Sequence, residues 1–515
     1  MSKHRPIARG LLACCAWLAL AGSVQGQPRP LFEDQPSAQS AGPASPPSEF
    51  TVRPLDVPSA DAVGGGDWRG SAAWGDTPPA EIALALAALP AVPPDPAARR
   101  LQVELLRLPT PDSQPPGSLL ALRLQHLIEL GALDVAQALV DEAGPGAIRL
   151  PALAPVAAGL DLAAGQDEAA CALARDAGLG MEVSSEEISG QAGSGELNLL
   201  CALLQDRPDS ALVLAGALEE TGSLRAQPFG ALVAVALGYG RADAVDWSAT
   251  VTPADLALAR RLGLALPDEA VAHASPAALA RLAADPATSP GLRAAARALM
   301  EAARGNFAAT GAEASRLRAI TDPQARAREI VLLWHADPDP DSRRAYLPQL
   351  APLAATVAPR QALALEAETL ARILLAAGEE GAALAWFDML EAQPQGDRAR
   401  AHRVAVLMIL AGLVDPSRMP PTPDGLFDRD DATLLAAGLA GQGIPLSSPW
   451  QLLLPTAASP PPAGAPALRL ARALADLASA EPAALARGLA GLVASDHAMD
   501  AREIARSTVI VRLDG

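Results

Sequence analysis

Three times along this chain a glycine that closes a helical run is followed five residues later by an alanine. In 367–394, Leu370, Ala371 and Leu374 fall at helical spacing before Gly378. Ala383 stands five residues beyond that glycine, Phe387 nine and Leu390 twelve, and Pro394 ends the unit. Leu124 and Leu127 lead to Gly131, with Ala136, Val140 and Ala143 on the same later face; Gly165 is followed by Ala170, Ala174 and Ala177. Steps of four and three residues place the later side chains on one stripe of a second helix. Each unit is therefore expected to be a helical hairpin, with its small residue where the two helices cross.

Composition leaves the core little else to be. Half the residues are hydrophobic but only 3% are aromatic, so the interior must be built from Ala, Leu and Val. Ala and Leu lead the helix scale, while the β-branched and aromatic residues that favour strands are scarce. The fold class expected is all-α. Helix starts are marked by Thr252-Pro253, Ser275-Pro276, Ser289-Pro290 and Asp322-Pro323, each a capping residue before a proline at the first helical position. The β-branched run Thr508-Val509-Ile510-Val511 is expected to end the chain in extended form.

The glycine–alanine offsets resemble the tetratricopeptide repeat. Gly305-Asn306-Phe307 is similar to the turn signature of that family, with Thr310 where the family has alanine. The likeness covers about a third of the chain, and the large aromatic early in the family's first helix is missing from every copy. What the resemblance implies is a right-handed α-α superhelix, or solenoid, of stacked hairpins. A lone hairpin cannot bury its apolar face, whereas stacked neighbours can, and the stack has a concave side suited to a polypeptide partner.

The N-terminus reads as an address. Lys3, His4, Arg5 and Arg9 precede the apolar run Leu11–Ala21, and Val24 and Gly26 precede a cut after residue 26. That is the pattern of a secretory signal peptide over 1–26, its apolar run too short to span a bilayer. Periplasmic export is expected. Leu11-Leu12-Ala13-Cys14 resembles a lipobox, which makes a lipid-anchored form the alternative. Residues 27–78 are rich in Pro, Gly and Ser and read as a disordered linker. Trp68 and Trp74 interrupt it, and they dock either onto the helical body or onto a partner. A helical repeat array is expected over 79–412, a Pro-rich break with one short helix over 413–466, and a C-terminal helical segment over 467–515. The polar loop 178–195 marks either a functional insertion or a seam between sub-arrays.

Charge and missing motifs narrow the function. The chain carries −18, and cleavage with loss of Lys3, Arg5 and Arg9 would take it to −21. Such a surface repels phosphate backbones and anionic headgroups, so neither nucleic acid nor electrostatic membrane docking is expected. Lys3 is the only lysine, which removes Schiff-base, Ser–Lys and phosphate-loop chemistry from the mature chain. The six histidines are scattered, and no metal, cofactor or catalytic residue is assigned. Asp430 and Asp431 read as cap and first-turn charges of the short helix. Cys171 and Cys201, the pair left after cleavage, are either a disulfide suited to an oxidising compartment or two buried thiols.

The function expected is a binding scaffold, or an accessory of a cell-envelope machine for secretion, motility or envelope assembly, with a protein or peptide partner. Arg260 with Arg261, Arg343 with Arg344, and Arg398, Arg400 and Arg403 are local clusters able to receive carboxylates. The alternative is a peptidoglycan enzyme or its superhelical non-catalytic domain. The Ala-rich domains of periplasmic lytic transglycosylases are similar in composition and rhythm, but no Glu-Ser dipeptide, as their catalytic motif requires, occurs in the chain.

Overall fold

The computed structural model describes residues 59–65, 73–93, 95–177, 194–303, 312–336, 339–393, 398–454 and 464–513. Residues 1–26, expected above to be a signal peptide, Trp68, most of the loop 178–195, Gly305-Asn306-Phe307 with Thr310, and Pro394 lie outside the described residues. Among those described, the fold is all-α, without a β-strand. No helix there is long and apolar enough to cross a membrane.

The chain opens with α1 (Pro79–Ala87), α2 (Pro96–Arg107), α3 (Ser118–Glu129), α4 (Leu133–Ala147) and α5 (Ala154–Ala163). A middle set follows: α6 (Asp167–Asp176), α7 (Ser194–Leu204), α8 (Pro208–Glu220), α9 (Ala231–Ala236), α10 (Pro253–Arg261), α11 (Asp268–Ala272), α12 (Pro276–Ala284) and α13 (Pro290–Ala303). The third set comprises α14 (Ala312–Ala319), α15 (Pro323–Ala336), α16 (Pro340–Ala354), α17 (Ala367–Ala376), α18 (Glu380–Glu391), α19 (Arg398–Leu410) and α20 (Arg429–Gly441). It closes with α21 (Ser448–Gln451), α22 (Pro466–Leu477), α23 (Pro482–Val493) and α24 (Ala498–Arg512).

Local chemistry accounts for the starts. Ser275 Oγ accepts from Ala278 N at 3.2 Å, Ser289 Oγ from Leu292 N at 3.3 Å, and Asp322 from Gln324 N and Ala325 N. Thr252 and Asp255 close a reciprocal capping box at the head of α10. The short helix in the Pro-rich stretch is capped by Asp428, whose carboxylate accepts from Asp431 N at 2.8 Å. Asp430 and Asp431 are thus both first-turn charges, and Asp430, expected to be the cap, stands two positions past it.

The glycine–alanine units are hairpins of packed helices: α3 on α4, α5 on α6, α17 on α18. Ala136, Ala170 and Ala383 are fully buried and Phe387 is buried. Gly131 adopts φ +69°, and a Cβ there would sit 2.8 Å from the Cβ of Pro276 at the start of α12. Only glycine fits both that backbone and that approach.

Two apolar cores result. One joins α1–α5 to the third set; the other is built by the middle helices. Helix α5 serves both, through Leu160 on one side and Ala158 and Leu162 on the other. The expected linear order of domains is therefore revised: α1 packs on α22, and α2 packs on α22 and α24, so the start of the array lies against its end. Helices on the two sides of residue 412 share one core, since α17 and α19 both pack on α24.

The leader is also partly built in. Asp61, fully buried, accepts from Leu120 N at 2.9 Å and Gly117 N at 3.1 Å, and so caps α3. Buried Arg123 grips the Leu106 and Val63 carbonyls at 2.8 and 3.0 Å. Burial pushes its pKa down to about 10, which leaves it charged at neutral pH. Trp74 is 2% exposed, and the Ala73 carbonyl accepts from Ala467 N at 3.0 Å. Residues 59–65 and 73–78 thus belong to the folded body, although they fall inside the stretch expected to be disordered.

The end of the chain is a second revision. Thr508–Val511 is helical, as part of α24. That helix lies against α2, α16, α17, α19, α20 and α23, and Thr508, Val509, Ile510 and Val511 are all buried. Packing from so many sides outweighs a β-propensity worth at most about 1 kcal/mol per residue. Arg343 and Arg372, both buried, donate to the Leu513 carbonyl at 2.7 Å, and Arg343 also to Val511 O at 3.3 Å. They satisfy carbonyls that a helix end leaves open.

Candidate functional cleft

The middle helices carry the site, and their turns shape it. Gly165, at φ +77°, ends α5 and delivers Asp167 to the first turn of α6. Arg281 of α12, 3% exposed, meets that carboxylate with two bonds of 2.7 and 2.9 Å and donates to Leu162 O at 2.6 Å. A buried, bidentate pair of this kind locks the α5–α6 turn to α12. Arg225 holds α10 in the same lobe: it bonds Glu196 at 2.8 Å and Asp255 at 3.4 Å, and its guanidinium lies 5.1 Å from the centre of the Phe229 ring. Burial raises the pKa of Asp255, and the nearby Arg225 charge opposes that rise.

Two cavities open beside the Asp167–Arg281 pair. The first, about 760 Å³, lies between the α5–α6 turn, the end of α7 and the last turn of α10; Gln166, Asp167, Glu168, Leu204, Arg260 and Arg261 line it. The second, about 380 Å³, is walled by Leu256, Leu264, Leu266, Leu282 and Leu292, with Arg281, Asp285, Thr288 and Ser289 among its polar groups. Arg260 lines both. Its side chain is 55% exposed and meets Asp285 at 3.3 Å, while Arg261 pairs with Asp206. Exposed ion pairs of this type contribute about 0–1 kcal/mol, so either guanidinium is cheaply shared with a ligand. Volumes of this size, with apolar walls and a few placed polar groups, suit a ligand-binding cleft.

The other arginine clusters have different work. Arg343 holds the end of α24, Arg403 clamps Glu368 at 2.7 and 2.6 Å, and Arg400 donates to Ala364 O at 3.3 Å. Among the sequence candidates, Cys171 and Cys201 are joined Sγ to Sγ, with Cα atoms 5.4 Å apart, and tie α6 to α7. Gly165 stands in the cleft wall and Ala170 is buried on the same helix α6. Gly131, Ala136, Gly378, Ala383, Phe387 and Trp74 serve packing away from it. Among the described residues no group of three His, Cys, Asp or Glu side chains is placed to hold a metal ion.

Sequence reasoning singled out Arg260 and Arg261 but not the leucine pocket or the buried pair beside it. Asp167 and Arg281 are 114 residues apart, and no local pattern links them. The capping signal at Ser289 placed the start of α13, and with it Ser289 and Leu292 on one rim of the second cavity. Compared with known proteins, the chain matches no family model, no curated protein and no solved structure.

Proposed function

We propose that this chain is an exported helical-repeat scaffold of the bacterial cell envelope that binds a polypeptide segment in the cleft around Arg260. The observation that carries the reading is the pair of adjoining cavities, one polar and one lined by five leucines, on a frame locked by the Asp167–Arg281 pair and the Cys171–Cys201 link. Export is supported by the basic, apolar and small-residue order of 1–26, and the cysteine pair suits an oxidising compartment. The α3–α4, α5–α6 and α17–α18 hairpins support the helical-repeat reading, while the contacts of α1 and α2 with α22 and α24 favour an array closed on itself over an open stack.

A photo-crosslinking amino acid at Ala169, exposed in the cleft wall, tests this reading in the bacterium that makes the protein. The expected result is a discrete crosslinked product that the same probe at Ala385, exposed on α18, does not give. No product from Ala169, or the same product from both positions, refutes the reading.

A further inference from the structure

We infer that the cleft takes an extended, uncharged aliphatic polypeptide segment, with aliphatic side chains in the leucine-lined pocket and main-chain carbonyls on the guanidinium groups of Arg260 and Arg261. The inference rests on the binding reading above and names its ligand class.

Charge argues against the simpler expectation that these arginines receive carboxylates. The two cavities are lined by Arg260, Arg261 and Arg281 on one side of the balance and by Asp167, Glu168 and Asp285 on the other. Each arginine already faces an aspartate: Asp285, Asp206 and Asp167 respectively. The cleft therefore offers no surplus positive charge, and it belongs to a chain of net −18. A carboxylate gains little there and is repelled on approach.

The apolar wall argues positively. A pocket of about 380 Å³ bounded by five leucines exceeds one side chain and suits two aliphatic groups of a ligand. In an extended strand, alternate side chains point the same way, so a ligand can send two of them into one pocket. Its carbonyls then need donors, and this chain shows what its arginines do with such groups. Arg123 holds the carbonyls of Leu106 and Val63, Arg281 that of Leu162, and Arg372 that of Leu513. In each case a guanidinium donates to main-chain carbonyls, and Arg123 donates to that of Asp61 as well, at 3.3 Å. A guanidinium has five N–H donors. Arg260 engages Asp285 through Nη1 and Arg261 engages Asp206 through Nη2, so donors remain for a ligand at the mouth of the pocket.

The test uses the full mature chain and three fluorescein-labelled peptides read by anisotropy: Gly-Ser-Leu-Val-Leu-Ser-Gly, a twin with both leucines replaced by Asp, and a twin with both replaced by Asn. The aliphatic peptide is expected to bind at least about tenfold tighter than either twin, with affinity unchanged between low and high salt. Leu264→Gln with Leu292→Gln, both at partly exposed wall positions, should weaken it about tenfold. Arg260→Gln, which leaves the apolar wall intact, should weaken it about threefold with no salt dependence. Tightest binding by the Asp twin, lost at high salt, overturns the ligand class while leaving a binding cleft. Equal binding of all three peptides does the same. If no peptide binds while Ala169 still crosslinks a discrete partner, the ligand class is wrong and the binding reading stands. If both experiments fail, both fall.

Discussion

Removing Asp167 should destabilise the middle lobe more than removing its partner, because the two residues differ in what they leave behind. In Asp167→Asn, the Arg281 guanidinium stays charged at 3% exposure, with only the Leu162 carbonyl and an amide oxygen to face it. A stranded buried charge of this kind costs about 3–5 kcal/mol, and the surviving carbonyl bond places the expectation near 3 kcal/mol. In Arg281→Met, the Asp167 side chain is already 22% exposed and turns towards water. The Leu162 carbonyl keeps its bond from Gly165 N at 3.0 Å. The cost then reduces to the lost charge-assisted bonds, about 1.5–3 kcal/mol, offset in part by the apolar methionine and by hydration of the freed carboxylate. Native-state hydrogen exchange followed by mass spectrometry gives opening free energies for peptides of α6 and α12 directly. If Arg281→Met lowers them as much as Asp167→Asn, or more, the argument from stranded charge is refuted.

Three further outcomes follow from the same structure. Alkylation of the unreduced protein should leave Cys171 and Cys201 unlabelled, and Cys171→Ser should cost about 3–4 kcal/mol in the middle lobe from a separation of 30 residues; two labelled thiols remove the link. Burial first, then the Arg372 and Arg343 charges, lower the pKa of His335. Its contribution to stability is accordingly complete above its unfolded value near 6.5 and is lost as pH falls through the lowered folded value. The urea midpoint should therefore drop on acidification less steeply in His335→Gln than in the parent, and parallel profiles would exclude the histidine as the cause. Trp74→Ala should cost about 3–5 kcal/mol and expose the 73–78 segment to limited proteolysis while α6–α13 stay protected; unchanged cleavage would show that the ring does not anchor the leader.

Helical content and hairpin turns were legible because their causes are local. Ala and Leu set the propensity, Ser275, Ser289 and Asp322 mark starts within three residues of the groups they cap, and Gly131 and Gly378 mark turns that need positive φ. Arg260 and Arg261 were legible as a cluster because they are adjacent. What they line was not, since the pocket draws leucines from α10, the loop after it, α12 and α13. The expected extended end fails for a related reason. β-branching in Thr508–Val511 is a weak local preference, and the six helices around α24 are not visible from those four residues.

The sequence alone determined the fold class, the hairpin unit and the helix starts, all of which rest on neighbours in the chain or on composition. Tertiary structure decided that the first and last helices share one core, that residues 59–65 and 73–78 belong to the body, and that α24 is a buried helix. It also decided that Arg343 and Arg372 hold a helix end, whereas Arg260 and Arg261 border a cleft. The physical reason is common to all of these. Each depends on groups that distant segments bring together, from 25 residues away for Arg260 and Asp285 to 114 for Arg281 and Asp167 and 141 for Arg372 and Leu513.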